Sequence, residues 1–533
     1  MSIVTGAAPE HSDPIAARAG SAWRATVRAE WIKFRTVRGW PAGLVLAAFL
    51  LVTFTFVVAN GHHQDICTGV GDCHAGHPYV PTGPGGQAVT DSYQFYGHPL
   101  TGNGALTARV VSLTGLISTG SAGQAPSLAN TRPGVTDWAK AGILLTPNPR
   151  RGAAYAAVMA TGAHGIRFQH NYTYDRPGMP GTATAASPRW LRLTRTGDTI
   201  TAADSPDGTT WHPIGTARLP GLPVTVDVGL FAASPVTPQG MATQATAHFD
   251  NLTLTGTATG TWQADSIGMS AQDYYPTLGP GSAQPSGSTV AVTGSGDLAP
   301  AVAGLIGGDT PGDTIMFGLV VAMVVLIVIV TSFVAGEYRR GLIRMTFAAT
   351  PGRAGVLMAK AAVIGVVAFA FGTVLAAIAL PIGRHVLTGN GNYVFPSATA
   401  TTMRVIAGTG LLLALTAIGA VGVAALVRRS AAAVTLGIVV FVLPTLLGPG
   451  VLGSGPSGAS SASGDIAEWL YRATPAAGLS VLGTLARSAL VDYPFTLANG
   501  YYPLGPRAGL AVLAAWVAAI LAAAAIVTRR RDA

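Results

Sequence analysis

The chain has 533 residues; 49% are hydrophobic and only 10% charged, with 32 Lys+Arg against 23 Asp+Glu and a formal net charge of +9. Its mean hydropathy is +0.44. So little charge at such hydropathy excludes a disordered chain and argues against an ordinary soluble enzyme, where roughly 25% of residues are charged. The basic excess leaves two partners open, nucleic acid or the headgroups beside membrane spans.

In chain order, 1–39 carries Trp23, Val27, Trp31 and Phe34 at helical spacing, with Arg24, Arg28, Lys33 and Arg35 between them. This pattern predicts an interfacial amphipathic helix lying on the bilayer. The uncharged stretch 40–59 follows and is long enough to cross a bilayer, which takes about 20 helical residues. Its long leader and apolar length read as a retained span rather than a cleaved signal peptide.

Residues 60–90 hold His62, His63, His74 and His77 around Cys67 and Cys73, the only two cysteines. Outside the cell, two cysteines favour a disulfide, Cys67–Cys73. The spacing fits no closed zinc motif, so no metal site is assigned.

Residues 91–257 change character. Short alternating runs at 105–113, 141–145, 153–160, 165–173, 190–196, 198–204, 225–233 and 245–255 read as strands. The turns Arg195-Thr196-Gly197-Asp198 and Ser205-Pro206-Asp207-Gly208 separate them. Evenly spaced strands without helical periods predict an antiparallel sandwich or jelly roll. The order of Trp138–Leu145, Trp190–Ile200, Ser205–Trp211, Val228–Ser234 and Phe249–Leu252 resembles the concanavalin A-like lectin/glucanase sandwich. That resemblance implies a fold that often binds saccharide, with Trp138, Trp190, Trp211 and Tyr174 as candidate ring-stacking contacts; buried sandwich aromatics are the plainer reading of each. Glycoside hydrolysis needs paired carboxylates. Asp137, Asp175, Asp207 and Asp250 are present, but 60–313 contains no Glu, and these aspartates read as turn and surface residues. No catalytic residue is assigned. Residues 258–313 are rich in Gly, Pro and Ser and read as a linker with some strand.

Five further apolar stretches follow at 314–336, 361–380, 405–427, 431–447 and 508–527, the fourth of them short and ended by Pro444. The segments before span one, between spans two and three, between four and five, and after six hold 16 Lys+Arg and 5 Asp+Glu; the remaining segments hold 16 and 18. The alternation predicts six spans, both termini cytoplasmic, and an extracellular sandwich in a cell membrane. The basic excess is then a topology signal, and nucleic acid is not a partner. The expected fold class is a membrane α-helical bundle of six spans plus an extracellular all-β jelly-roll sandwich.

The segment Ala29–Arg38, together with Gly336-Glu337-Tyr338-Arg339-Arg340 and the following 341–353, resembles the type-2 family of ABC transporter permeases. The resemblance covers about 1–60 and 310–533; the large insert departs from it. It implies that the loop 337–360 docks on a separate ABC ATPase subunit, with Glu337, Tyr338, Arg339, Arg340 and Arg344 as coupling residues. It also implies a homodimer or a second permease subunit. Asp465–Gly478 resembles the family's broken helices between the last two spans, with Arg384, Glu468, Arg472 and Arg487 near the outer end. No Gly-x-x-x-x-Gly-Lys-Ser/Thr occurs, so no cofactor is expected in this chain and ATP with Mg²⁺ belongs to the partner. The expected function is the permease subunit of an ATP-driven exporter whose external domain meets saccharide or envelope glycan. The alternative is a membrane-anchored carbohydrate-binding or sensory protein without transport.

Overall fold

The computed structural model describes residues 14–530 except 38, 63–64, 68–72, 76–79, 120–126, 238–240, 270–277, 303–307, 340, 344, 346–351, 452–467, 486–487 and 492–501. Its helices are α1 Pro14–Thr36, α2 Gly39–Gly61, α3 Pro311–Arg339, α4 Arg353–Gly389, α5 Thr399–Val427, α6 Ser430–Phe441, α7 Leu443–Val451 and α8 Pro506–Arg530, with a 3₁₀ helix at Pro475–Leu482. Five of them, α2, α3, α4, α5 and α8, are long and apolar enough to cross a membrane. The stretch expected as span 431–447 is different. It is split into α6, with 12 residues, and α7, with 9. Twelve residues reach only about 18 Å, short of a ~30 Å hydrocarbon core. Pro444 explains the break, because it offers no N–H and its ring crowds the preceding turn.

The bundle packs through Leu51, Leu319, Ile327, Leu413, Val421 and Leu482. Glycines let backbones meet. A Cβ at Gly318 would lie 2.5 Å from the Leu51 carbonyl oxygen, and one at Gly410 would lie 2.7 Å from that of Phe369. Every residue of the 3₁₀ helix is buried. Irregular backbone at such depth needs protein partners. Arg404 supplies them, donating to the Gly483 carbonyl at 2.6 Å and the Val481 carbonyl at 3.4 Å. Nearby, Tyr471 donates to the Thr445 carbonyl at 2.7 Å and Trp516 to that of Ala473 at 2.9 Å.

Between α2 and α3 lies the sandwich. The hairpin β1 Asp65–Cys67 and β2 Cys73–Ala75 sets Cys67 opposite Cys73. This register suits the expected bond, although the two side chains lie outside what the structure describes. The strand β4 Tyr93–Ser118 is 26 residues long and runs through both layers. Its first part pairs with β13 Thr225–Ala233 and β15 Gln263–Ile267. Its middle pairs with β10 Arg189–Thr196 and β14 Thr243–Ala258. From β13 one layer continues through β6 Lys140–Thr146, β7 Ala156–Thr161, β8 Ile166–His170 and β9 Tyr174–Pro177; from β10 the other runs through β11 Thr199–Ser205 to β12 His212–Arg218. The short β5 Thr131–Pro133 pairs with the end of β4. Inward residues at period two, among them Leu106, Val110, Ile143, Val158, Phe168, Leu191, Ile200 and Phe249, form the core between the layers. The strands read from the sequence all appear.

The segment 258–313 is more than a linker. It supplies β15, then β16 Ser282–Ser286 and β17 Thr289–Gly294, which extend the second layer beyond β14. Val290 and Val292, two apart, enter the core and explain why these residues order. Finally β18 Leu298–Pro300 pairs with β3 Val89–Asp91, so the strands where the insert begins and ends form one neck. The neck is bolted to the sandwich by buried polar groups. Asp297 accepts from Lys140 at 2.5 Å. Asp91 accepts from the Tyr172 hydroxyl at 2.7 Å and the Gly152 amide at 2.6 Å. Beyond the neck, β19 Gly308–Asp309 pairs in parallel with β20 Tyr393–Val394, the residues that follow α4.

Burial pushes the Asp91 carboxyl up to about 6, against the pull of Tyr172, Gly152 and Arg151. Its folded value exceeds its unfolded one, so the folded form binds the extra proton between about pH 4 and 6. The associated stability is present below that window and is lost as pH rises through it, by roughly 3 kcal/mol at most. In the intact chain, Asp91→Asn should flatten this fall, read as amide exchange of β4 and β13 at pH 4.5 and 7. An unchanged slope in the variant would refute the assignment.

Candidate functional site

Four charged side chains meet inside one end of the bundle. The Lys360 ammonium near the start of α4 lies 2.6 Å from Glu30 on α1 and 3.0 Å from Glu337 at the end of α3. Lys33, one turn after Glu30, lies 2.8 Å from Glu30 and 3.7 Å from Glu337. Glu30 and Lys360 are 4% and 3% exposed. Two carboxylates and two ammoniums cancel, which is how a buried charge set avoids a prohibitive desolvation cost. The Phe333 ring lies 4.9 Å from the Lys360 nitrogen and closes the site on one side. Burial of Glu30 alone raises its carboxyl, but Lys360 and Lys33 outweigh this and hold it below the ordinary value. Lys33 is raised; burial opposes this, and bonding to Glu30 with the charge of Glu337 prevails.

A second contact adjoins the first. Arg428, in the α5–α6 turn, lies 5.1 Å over the Tyr338 ring. Tyr338 also bonds to Thr528 near the end of α8. Segments from α1, α3, α4, the α5–α6 turn and α8 therefore converge at one end, where the sequence places its basic clusters.

The expected coupling residues fall in different environments. Glu337 faces inward and is 8% exposed, so it is a tie within the bundle rather than a displayed acid. Tyr338 is half-buried against Arg428, Arg339 is exposed, and Arg340 and Arg344 lie outside the described residues. On α1, Trp23 and Trp31 are each 42% exposed. Val27 is half-buried, and Phe34 packs between Trp31 and Trp40 at 5.7 and 5.2 Å, with Trp40 against Phe333 at 5.2 Å. Sequence reasoning missed Glu30, Lys33 and Lys360 as one site. The available signals were an acid–base pair at i,i+3 in α1 and a lysine set directly against an apolar span.

On the sandwich, the four aromatic candidates separate. Trp138 is 3% exposed, stacked on His164 at 4.0 Å, so it is closed to a sugar ring. Tyr174 is exposed on β9 and stacks on His170 at 4.4 Å. Trp190, on β10, and Trp211, just before β12, are half-buried, each under an arginine: Arg109 at 5.7 Å and Arg192 at 3.8 Å. Asp137 is exposed, and the other three aspartates have structural partners. Asp175 pairs with Arg167 and Asp250 with Arg109. Asp207 accepts the Thr209 and Thr210 amides at 2.8 and 2.7 Å in its turn. Elsewhere Arg384 is exposed, Arg472 pairs with Glu468, and Arg487 is outside the described residues.

No protein-family model matches the chain. No curated protein matches it. Among solved structures, scytalido-glutamic peptidase bound to a transition state analog inhibitor shows 11% identity over 38% of this chain and 98% of that chain, with a TM-score of 0.25. A functionally unknown protein from Saccharomyces cerevisiae shows 15% identity over 37% of this chain and 98% of its own, with a TM-score of 0.22. Overlaps this low carry no inference about activity.

Removing Lys360 tests the charge cluster. Lys360→Met leaves two carboxylates buried around an apolar side chain and should destabilise the intact chain by about 3–5 kcal/mol. Adding Glu30→Gln and Glu337→Gln should recover most of that loss, because Lys33 is 35% exposed and can turn to water. Thermal melts of the purified protein in detergent distinguish the variants. A triple variant no more stable than Lys360→Met would refute the cluster's role.

Proposed function

We propose that the chain is the membrane-spanning permease subunit of an ATP-driven exporter, energised by a separate ATPase subunit that binds ATP and Mg²⁺. The carrying observation is the Lys360 cluster, which ties α1 to the adjoining ends of α3 and α4. A force applied to α1 or to the α3–α4 connection reaches two long helices together rather than bending one loop. On this reading the basic end faces the cytoplasm, and α6 with α7 makes the sixth crossing. Arg339, exposed at the end of α3, presents positive charge to the ATPase, joined on this reading by Arg340 and Arg344, and Glu337 positions the helix that ends at Arg339. The sandwich is extracellular and meets saccharide with the face carrying Trp190, Trp211 and Arg192. Two copies, or this chain with a second permease, complete the pathway.

Affinity purification of the chain from its native membrane should bring down an ATPase with a phosphate-binding loop, and Arg339→Glu with Arg340→Glu should release it. A fully retained partner would refute the coupling assignment. Glycan-array screening of the intact chain should give a saccharide signal that Trp211→Ala removes. A signal unaffected by that change places the binding face elsewhere, and no signal at all leaves the sandwich without a saccharide role.

A further inference from the structure

Three helix ends meet beside the Lys360 cluster, and each brings arginine. Arg428 lies 5.1 Å over the Tyr338 ring. Tyr338 bonds to Thr528. Along the chain, Arg429 follows Arg428, Arg339 follows Tyr338, and Arg529 and Arg530 follow Thr528. The Arg428–Tyr338–Thr528 contact therefore draws the ends of α3, α5 and α8 into one ring of positive charge. Behind it α5 and α8 run close together, since a Cβ on Gly422 would stand 2.8 Å from the Ile520 side chain.

This charge lacks a counterpart. Among the described residues, none of the arginines 339, 428, 429, 529 and 530 makes an ion pair. The described acids at this end, Glu30 and Glu337, are held by Lys360 and Lys33. Three helix C-termini contribute about −1.5 charges of dipole together, which leaves most of the five positive charges unanswered. Arg428 is the sharpest case. It caps α5 in the left-handed region, at φ 60°. Glycine is the usual residue there, because it has no Cβ to clash. The Arg428 Nε is enclosed and donates no hydrogen bond. The Tyr338 ring offsets part of the charge and fixes the guanidinium, but a half-buried cation still calls for an anion. Backbone strain that is kept in order to hold such a group points to a ligand.

We infer that this ring is a phosphate site that takes the headgroup of an anionic phospholipid, with Arg428, Arg429 and Arg529 as its donors. Guanidinium forks match phosphate oxygens two at a time. Bilayer phosphates lie where apolar helices end, and α5 and α8 turn basic within two residues of Val427 and Val527. Ile526, 50% exposed and one turn before Arg529 and Arg530, offers an acyl chain an apolar wall. A broad acidic protein face could meet the exposed Arg429 and Arg530, but it would leave the half-buried Arg428 unanswered. A single phosphate on a flexible chain fits a crevice between helix ends. The site goes beyond the permease reading and stands whether or not the chain transports anything.

The test is native mass spectrometry of the intact chain, offered equal amounts of phosphatidylglycerol and phosphatidylcholine in detergent and read on the folded fraction. The parent should retain phosphatidylglycerol in preference by about ten-fold or more. Arg428→Gln with Arg429→Gln and Arg529→Gln should lose that preference, while Arg428→Lys with Arg429→Lys and Arg529→Lys should keep most of it. Removing three exposed arginines of α1, by Arg24→Gln, Arg28→Gln and Arg35→Gln, should leave it intact. A preference untouched by the first variant, or lost equally in the α1 variant, overturns the site. Arg428→Gly covers misfolding, since glycine suits the left-handed φ; it should fold as the parent does and still retain less phosphatidylglycerol, and retention equal to the parent's overturns the assignment of Arg428. Inorganic phosphate in excess should leave the bound lipid in place; if phosphate alone empties the site, its ligand is a soluble phosphate and the lipid is overturned. No preference in the parent overturns it too, and favours an acidic protein face as the occupant.

Discussion

A charge inside an apolar bundle must find its opposite or give up its proton, and this single requirement organises one end of the molecule. Lys360 stands near the start of a 37-residue helix that is otherwise almost wholly apolar. Its ammonium needs acceptors, and two arrive from different elements, Glu30 from α1 and Glu337 from α3. Lys33 then balances the second negative charge from the more exposed side. The position of α1 follows. An amphipathic helix could lie on a membrane at many angles, but Glu30 admits only the one that reaches Lys360. The hydrophobic stack of Phe34, Trp40 and Phe333 fills in around that choice.

The same physics applied to backbone explains the other end. A non-α segment inside a bundle leaves carbonyls without helical partners. Arg404 answers the carbonyls at the end of the 3₁₀ helix, and Trp516 answers one before its start. The neck follows the same rule, with Asp91 and Asp297 buried and bonded. The buried Lys360, the carbonyls of Gly483 and Ala473, and the Asp91 and Asp297 carboxylates each meet a donor or acceptor from a distant stretch of sequence. These long-range matches, more than any local propensity, set how helices, neck and sandwich sit together.

This is also the limit of what the sequence made legible. Period-two runs marked the sandwich strands because one side of each faces a core, and uncharged length marked five long helices. Periodicity carries no information about which partner a polar residue will meet. Glu337 therefore read as a displayed acid, when Lys360, 23 residues on, turns it inward. Trp138 read as a sugar platform or, more plainly, as a buried sandwich aromatic; the second holds, with the indole beside Lys140, which is drawn to Asp297. In 258–313 the Gly, Pro and Ser content concealed the alternation of Val290 and Val292. The fifth expected span was marked weak by Pro444, and it is there that the helix breaks.

The two ends are not independent, because one helix belongs to both. α3 carries Glu337 on its last turns and Gly312 on its first, and its 29 residues span about 43 Å. At Gly312 it touches the 3₁₀ helix so closely that no side chain fits between them. At Glu337 it is held by Lys360 and hence by α1. A helix of this length, buried along one side by Leu319, Leu326, Ile327 and Val330, moves more readily as a rod than by bending. Any displacement imposed at the charge cluster must appear at the Gly312–Leu482 contact, unless α3 bends or the contact gives way. The absence of a Cβ at Gly312 removes the soft side-chain layer that would otherwise absorb it. The sandwich, whose Trp138 and Ala299 pack against Leu490, lies next to that end of the bundle.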